Sequence, residues 1–451
     1  YAIFLSHSFD KYKKQGLKPK AAMRLAMTES VSSIGASMLT TLFGFVALLF
    51  MNFKIGADMG ISLVVGILIS FISVMMFFPA LLLCGNKLIE KTKHRRLTPT
   101  FQNIGKCISK IRIPIFCIIL VLMVPAFLGQ SHNSYFYGSS EKTIEGSEAW
   151  DIEQEFGVTN SAVLLVPKGD SAKETEMCDA LNNLDHITSV TSYSTMVSNK
   201  IPTIYLDSSV VKQFYSDNYA RIILSSDCAY EGDEAFAMVE SVQETADKYY
   251  PDSWYLCGQS ANMYDIKTCV QHDNTIVTII TIVSIYLILL IMTRNWLMPI
   301  FLILTIECSI WLNMCIPYFT GSSLSYLGYL IISTVQMGAT IDYAILLTNT
   351  YLANRKTMQK KQAMIKALGD VFGSILISAA TLSLSGFCLN WSSSNEVVKV
   401  LGGLICRGAI LAILMVVLLL PTFLLIIDSL IPRTTFHFGK KKKEELQNVS
   451  E

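Results

Sequence analysis

The sequence predicts a polytopic α-helical membrane protein that carries one α+β domain on the outer side of the membrane. Three observations lead there. Apolar runs of about 20 residues, the length a helix needs to cross a ~30 Å hydrocarbon layer at ~1.5 Å per residue, recur along the chain. Hydrophobic residues make up 52% of the 451 and charged residues only 16%, a balance too apolar for an ordinary water-soluble fold. The remaining charges are sorted by segment, basic in several connections and acidic in one long insert.

In chain order, Tyr1–Ser6 reads as the stump of a span whose beginning precedes Tyr1. Spans are predicted near Val31–Met51, Gly60–Cys84, Ile113–Gly129, Thr275–Thr293, Leu297–Tyr318, Leu324–Tyr351, Phe372–Trp391 and Val397–Ile427. The connection Ser8–Thr28 holds Lys11, Lys13, Lys14, Lys18, Lys20 and Arg24. The segment Gly85–Arg112 is equally basic, as are Arg294, Arg355 to Lys366, and Arg433 with Lys440–Lys443. Basic connections stay on the cytoplasmic side, and here they alternate correctly with the spans. The insert Ser131–Gln271 has 22 acidic against 8 basic residues and belongs on the opposite side. Within Thr98–Ile111, Phe101, Ile104, Ile108 and Ile111 recur at helical spacing among basic residues, which predicts an amphipathic helix on the inner leaflet.

The insert alternates short β-prone runs with helical ones. Strands are predicted at Ser161–Val166, Ile187–Ser192, Arg221–Ser225 and Ser253–Cys257, with helices at Ser171–Leu184, Ser208–Tyr219 and Glu234–Tyr250. That order matches a ferredoxin-like split βαβ unit.

An internal repeat organises the rest. Tyr1-Ala-Ile-Phe-Leu recurs at Tyr343, Ser33-Ile34 at Ser374, Ser37 at Ser378, Thr40 at Thr381, Gly44-Phe45 at Gly386, Gly66 at Gly408 and Pro79 at Pro421. The offset is 341 or 342 throughout, and both copies run in the same membrane direction, as in transporters with parallel repeats. The organisation expected is therefore residues 1–84 as the closing spans of a first repeat and 85–112 as a cytoplasmic linker. Residues 113–130 open a second repeat, 131–271 form its outer domain, 272–430 hold five more spans, and 431–451 are a basic tail. A missing N-terminal half of the same protein is the first partner this implies.

Chemistry centres on one residue. A carboxylate in mid-span costs several kcal/mol unless neutralised, paired or hydrated, so Asp342 is a functional candidate by position. Gly338, one turn earlier, admits a close neighbouring helix, and Tyr343 supplies a hydroxyl. Ser374, Ser378, Thr381 and Ser385 step by 4, 3 and 4 along one helix face, with Ser33, Ser37 and Thr40 as the first-repeat counterpart. Such stripes hold a water file to a buried acid, or simply pack helices through small residues. Glu307 and Arg407 are the other mid-span charges; Arg407 either pairs with Asp342 or Glu307 or snorkels to an interface. No phosphate-binding Gly-rich loop and no Cys/His metal cluster are present, and the near-neutral charge suggests no nucleic-acid partner.

Gly338-Ala-Thr-Ile-Asp342-Tyr343 resembles the G-x-x-x-D-Y motif of the resistance–nodulation–division (RND) superfamily, and the chain is most similar to its mycobacterial-membrane-protein-large (MMPL) exporters. The basic loop that follows, the Ser/Thr-rich helix ending Gly386-Phe387, and the last span closing on Pro421 stand in that family's order. The resemblance implies an RND-like transmembrane bundle with an extracytoplasmic porter domain in the cell membrane. It further implies a non-enzymatic exporter of lipidic or amphiphilic molecules, driven by protons rather than a bound cofactor, in contact with membrane lipids and open to oligomerisation. Asp342, Tyr343, Thr381, Ser378 and Ser385 form the expected proton relay, Glu307 and Arg407 are coupling charges, and Tyr1, Ser37 and Thr40 are the first-repeat counterparts. A non-transporting sterol-sensing-like or translocation-assisting relative is the alternative; an intramembrane aspartyl protease is disfavoured, since no G-x-G-D motif or second matching acid occurs.

Overall fold

The computed structural model describes residues 2–92, 104–133, 135–136, 147–157, 160–197, 207–322 and 324–435. Two compact units emerge, one of Tyr1–Asn133 with Asp273–Glu451, the other of Ser134–His272.

The chain opens with α1 (Ala2–Lys14), α2 (Pro19–Ala47), α3 (Lys54–Ile72), α4 (Phe78–Lys91) and α5 (Ile104–Ser131). The smaller unit supplies α6 (Glu148–Phe156), β1 (Asn160–Pro167), α7 (Ser171–Asn182), β2 (Ile187–Thr191), α8 (Tyr193–Met196), α9 (Ser208–Phe214), β3 (Tyr219–Ser226), α10 (Asp233–Tyr249) and β4 (Tyr255–Gly258). Then follow α11 (Gln259–Thr293), α12 (Met298–Thr320), α13 (Tyr326–Arg355), α14 (Lys360–Ser392), α15 (Glu396–Leu418) and α16 (Leu420–Ile427).

Among the described residues seven helices are long and apolar enough to cross a membrane. The bent pair Pro19–Val31 and Ile34–Phe50, at 41°, makes an eighth if it is one span. The chain is a multi-pass membrane protein. Two expectations need correction. The basic stretch Ser8–Thr28 is not a loop but the end of α1 and the start of α2, because Pro19 occupies the first turn, where a missing N–H costs nothing. The amphipathic helix expected within Thr98–Ile111 is not separate either. From Ile104 onward that segment is the first turns of α5, with Ile108 buried in the bundle and Pro114 inside the helix; Phe101 lies outside the described residues.

The two repeat segments break at equivalent points. Pro79 sits in the first turn of α4, after the wide helical turn Ser73–Phe77, and Pro421 sits in the first turn of α16. A proline interrupts the i→i−4 ladder and favours a new helix start at both places. At Gly408 the copies diverge: a Cβ there would lie 2.5 Å from Gln336 Oε1 and 2.9 Å from Asn313 Nδ2, whereas Gly66 has open space. The crowding at Gly408 belongs to a buried network. Asn313 Nδ2 donates to Gln336 Oε1 (2.9 Å) and to the Leu404 carbonyl (3.0 Å), and Gln336 Nε2 donates to Ser309 Oγ (3.1 Å). It ties α12, α13 and α15 together where no water can satisfy these groups. Asp273 on α11, fully buried, accepts from Asn52 Nδ2 and from the Phe53 N–H, both at 2.9 Å, and so holds the turn after α2. Tyr351 and Arg355 both donate to Asp428, joining the end of α13 to the residues after α16.

The smaller unit is a four-stranded antiparallel sheet of order β2-β3-β1-β4, with α7 crossing from β1 to β2 and α10 from β3 to β4. Register pairs Ala162 with Leu224, Leu164 with Ile222 and Val166 with Ala220. Those six share one face and pack against Met177 and Leu181 of α7 and Met238, Val239 and Val242 of α10. Both helices therefore cover a single face of the sheet. Inside this core Glu174, 4% exposed, accepts a hydrogen bond from the Tyr215 hydroxyl at 3.0 Å. Burial pushes its pKa above the ordinary carboxylate value despite that bond. The described cysteines are all free thiols.

Candidate functional site

Asp342 lies on α13 at the seam where that helix crosses α2. The crossing is close because of two glycines: a Cβ on Gly338 would sit 3.3 Å from the Thr41 Cα, and one on Gly44 would sit 3.7 Å from the Thr334 carbonyl oxygen. Thr41 uses the approach, its Oγ1 donating to the Gly338 carbonyl at 2.9 Å as well as to the Ser37 carbonyl in its own helix. The two helices run antiparallel through this point, so one turn past Gly338 on α13 meets one turn back from Thr41 on α2. There the Ser37 hydroxyl is the side-chain hydrogen-bonding neighbour of the Asp342 carboxyl. Asp342 Oδ1 is sealed from solvent and has no hydrogen-bonding partner among the described residues. Tyr343 is buried beside it, and Thr40 is buried with its hydroxyl donating to the Ser37 carbonyl at 2.8 Å.

The same two helices hold two buried hydroxyls that sequence reading passed over. Ser30 of α2 and Thr348 of α13 are 0% and 1% exposed, and neither oxygen has a hydrogen-bonding partner among the described residues. Ser30 precedes Ser37 by two turns, and Thr348 follows Asp342 by six residues.

The second-repeat stripe is placed elsewhere. Thr381 and Ser385 are exposed and Ser378 is half-buried. The Thr381 hydroxyl donates to the Ile377 carbonyl at 2.8 Å, the usual way a helix satisfies a lone hydroxyl without a partner helix. These residues do not meet Asp342, because α14 turns Ala367, Val371, Ile375 and Ala379 into the bundle. α14 packs on α13 and α15 and touches α1 as well, while α13 also packs on α2. Tyr1 and the Ser33 side chain lie outside the described residues.

Glu307 and Arg407 are apart from this seam and from each other. Glu307 of α12 has Trp311 as its side-chain hydrogen-bonding neighbour, and no ion pair joins it to a base among the described residues. Arg407 is half-buried near Cys315 and Cys406, and its Nε has no hydrogen-bonding partner among the described residues. Of the two alternatives for Arg407, pairing with either acid is not formed among the described residues. Among the described residues no cluster of His, Cys, Asp or Glu could hold a metal.

The arrangement offers a lone carboxyl in a helix seam, one hydroxyl in contact, and two unpartnered buried hydroxyls elsewhere on the same two helices. Such a set can take up a proton, release it, and move one through intervening water. A family model described as "MMPL family" matches residues 1–115 and 149–445. No curated protein matches the chain.

Proposed function

The chain belongs to the MMPL family, and on that premise we propose that it is an exporter of lipidic or amphiphilic molecules driven by proton uptake at Asp342. The observation that carries the reading is the Asp342 carboxyl, seated between two helices of different repeats with one oxygen unpartnered. An ionised carboxylate held so is costly in a low dielectric, and protonation removes the cost. Protonation also changes what the α2–α13 seam can hold together, and a seam that tightens or loosens is the element that transport needs.

The relay on this reading consists of Asp342, Tyr343 and Ser37, with Ser30 and Thr348 as further stations. Thr381 and Ser378 lie on α14, which touches α1, and are the corresponding stripe of the second repeat. The smaller unit is the porter domain. Its strand order, with two crossover helices on one face, supports a ferredoxin-like assignment, and its acidic charge supports an extracytoplasmic position in the cell membrane. The chain acts without a catalytic centre or bound cofactor; its partners are membrane lipids and the transported molecule.

The test is Asp342→Asn in the full-length protein reconstituted in liposomes. Transport and proton uptake should both vanish while insertion and folding persist, because the amide reproduces only the protonated state. Substrate export at the wild-type rate under an imposed proton gradient would refute the proposal.

A further inference from the structure

The larger unit encloses a second feature that the relay does not use. Between α5, α11, α12 and α13 lies a cavity of about 410 Å³, within the ~300–1,000 Å³ typical of small-molecule sites. Phe127 and Met337 contribute apolar wall, and Trp311 and Tyr329 contribute aromatic rings. The rest of the lining is largely polar. Glu307 brings a carboxyl bonded to Trp311 and with no basic partner among the described residues, and Gln130, Asn274, Thr278 and Ser333 also line the space.

A buried carboxylate is matched by a proton or by a cation, and here there is room for a cation. Aromatic rings do not oppose one, since their faces attract ammonium groups. Arg407, the other mid-span charge, sits with Cys315 and Cys406 instead. Space remains beside the charge for more than a lone ion, and Phe127, Ile279, Ile310 and Met337 give the wall an apolar stretch. We propose that this cavity binds an amphiphile with a cationic head, an ammonium on an alkyl tail. Glu307 provides the counter-charge, Asn274 and Thr278 polar contacts, and Phe127 and Met337 the surface for the tail. The assignment rests on the exporter reading above for its role, naming the class of molecule carried, but its geometry is independent of Asp342.

The probe is a diazirine-bearing dodecyltrimethylammonium, photo-crosslinked to the full chain in lipid nanodiscs, with labelled peptides identified by mass spectrometry. Saturable labelling should fall on α11, α12 and α13. Unlabelled dodecyltrimethylammonium should compete for it about tenfold better than the neutral dodecyl maltoside, since a desolvated charge pair separates the two ligands. Glu307→Gln should erase that preference and Glu307→Asp should keep it, which distinguishes lost charge from lost fold. Equal competition by the neutral amphiphile, or a cationic preference that survives in Glu307→Gln, overturns the proposal. Asp342→Asn should leave labelling intact, so a failed relay and a failed cavity give different patterns.

Discussion

Gly338 is the position at which the proposed coupling can be graded. In Gly338→Ala the new Cβ falls 3.3 Å from the Thr41 Cα, tighter than ordinary contact, and the obstacle is backbone, so no rotamer change relieves it. The α2–α13 seam must open by a few tenths of an ångström. The Thr41 Oγ1 to Gly338 carbonyl bond, now 2.9 Å, would stretch to the edge of good hydrogen-bond geometry without breaking. Overpacking of this size costs roughly 1–2 kcal/mol. Gly338→Leu cannot be absorbed in that way. It separates the helices beyond hydrogen-bonding range, and the lost bond plus overpacking cost together about 2–4 kcal/mol. Ser37 then withdraws from Asp342. Thermal stability in detergent and proton-coupled uptake in liposomes should fall in the order wild type, Ala, Leu, with Leu inactive even where it stays folded. A Leu variant with wild-type stability and transport would refute both the close crossing and its part in coupling.

Two other outcomes follow from buried groups. Thr348→Val and Ser30→Ala each remove a sealed hydroxyl that has no partner, so stability should hold or rise by up to ~1 kcal/mol while proton uptake slows; a stability loss beyond that, measured by thermal unfolding, would show that the hydroxyls are satisfied. Glu174 should make the smaller unit pH-dependent. Its folded-state pKa is raised, so the neutral form is favoured: that stability is fully present below the unfolded value of 4.5 and is lost as pH rises through the folded value. Hydrogen exchange of the β1 and β3 amides should quicken over that rise, and Glu174→Gln should flatten the dependence. An unchanged slope in that variant would move the effect to another group.

The sequence by itself determined the spans, the smaller unit and the acid. Spans are legible because the bilayer imposes a length and a polarity on each helix separately. The strands and helices of the smaller unit are legible because a half-buried sheet writes its faces as alternation, as in Ala162, Leu164 and Val166. Asp342 stood out because one charge among apolar residues needs no neighbour to be conspicuous. Only the tertiary structure decided its surroundings. Both stripes carry the same residue types at the same spacing, and α13 packs on both α2 and α14. Ser37 meets Asp342 because the close crossing at Gly338, Thr41 and Gly44 turns the α2 stripe inward, whereas α14 presents Val371, Ile375 and Ala379 to the bundle and leaves Thr381 exposed. The cavity at Glu307, the bond from Tyr351 to Asp428 and the network of Asn313 with Gln336 join positions 23 to 77 residues apart or on separate helices. Periodicity reports which face of a helix is polar; it does not report what that face touches, because contact is a property of two surfaces and the chain order encodes only one at a time.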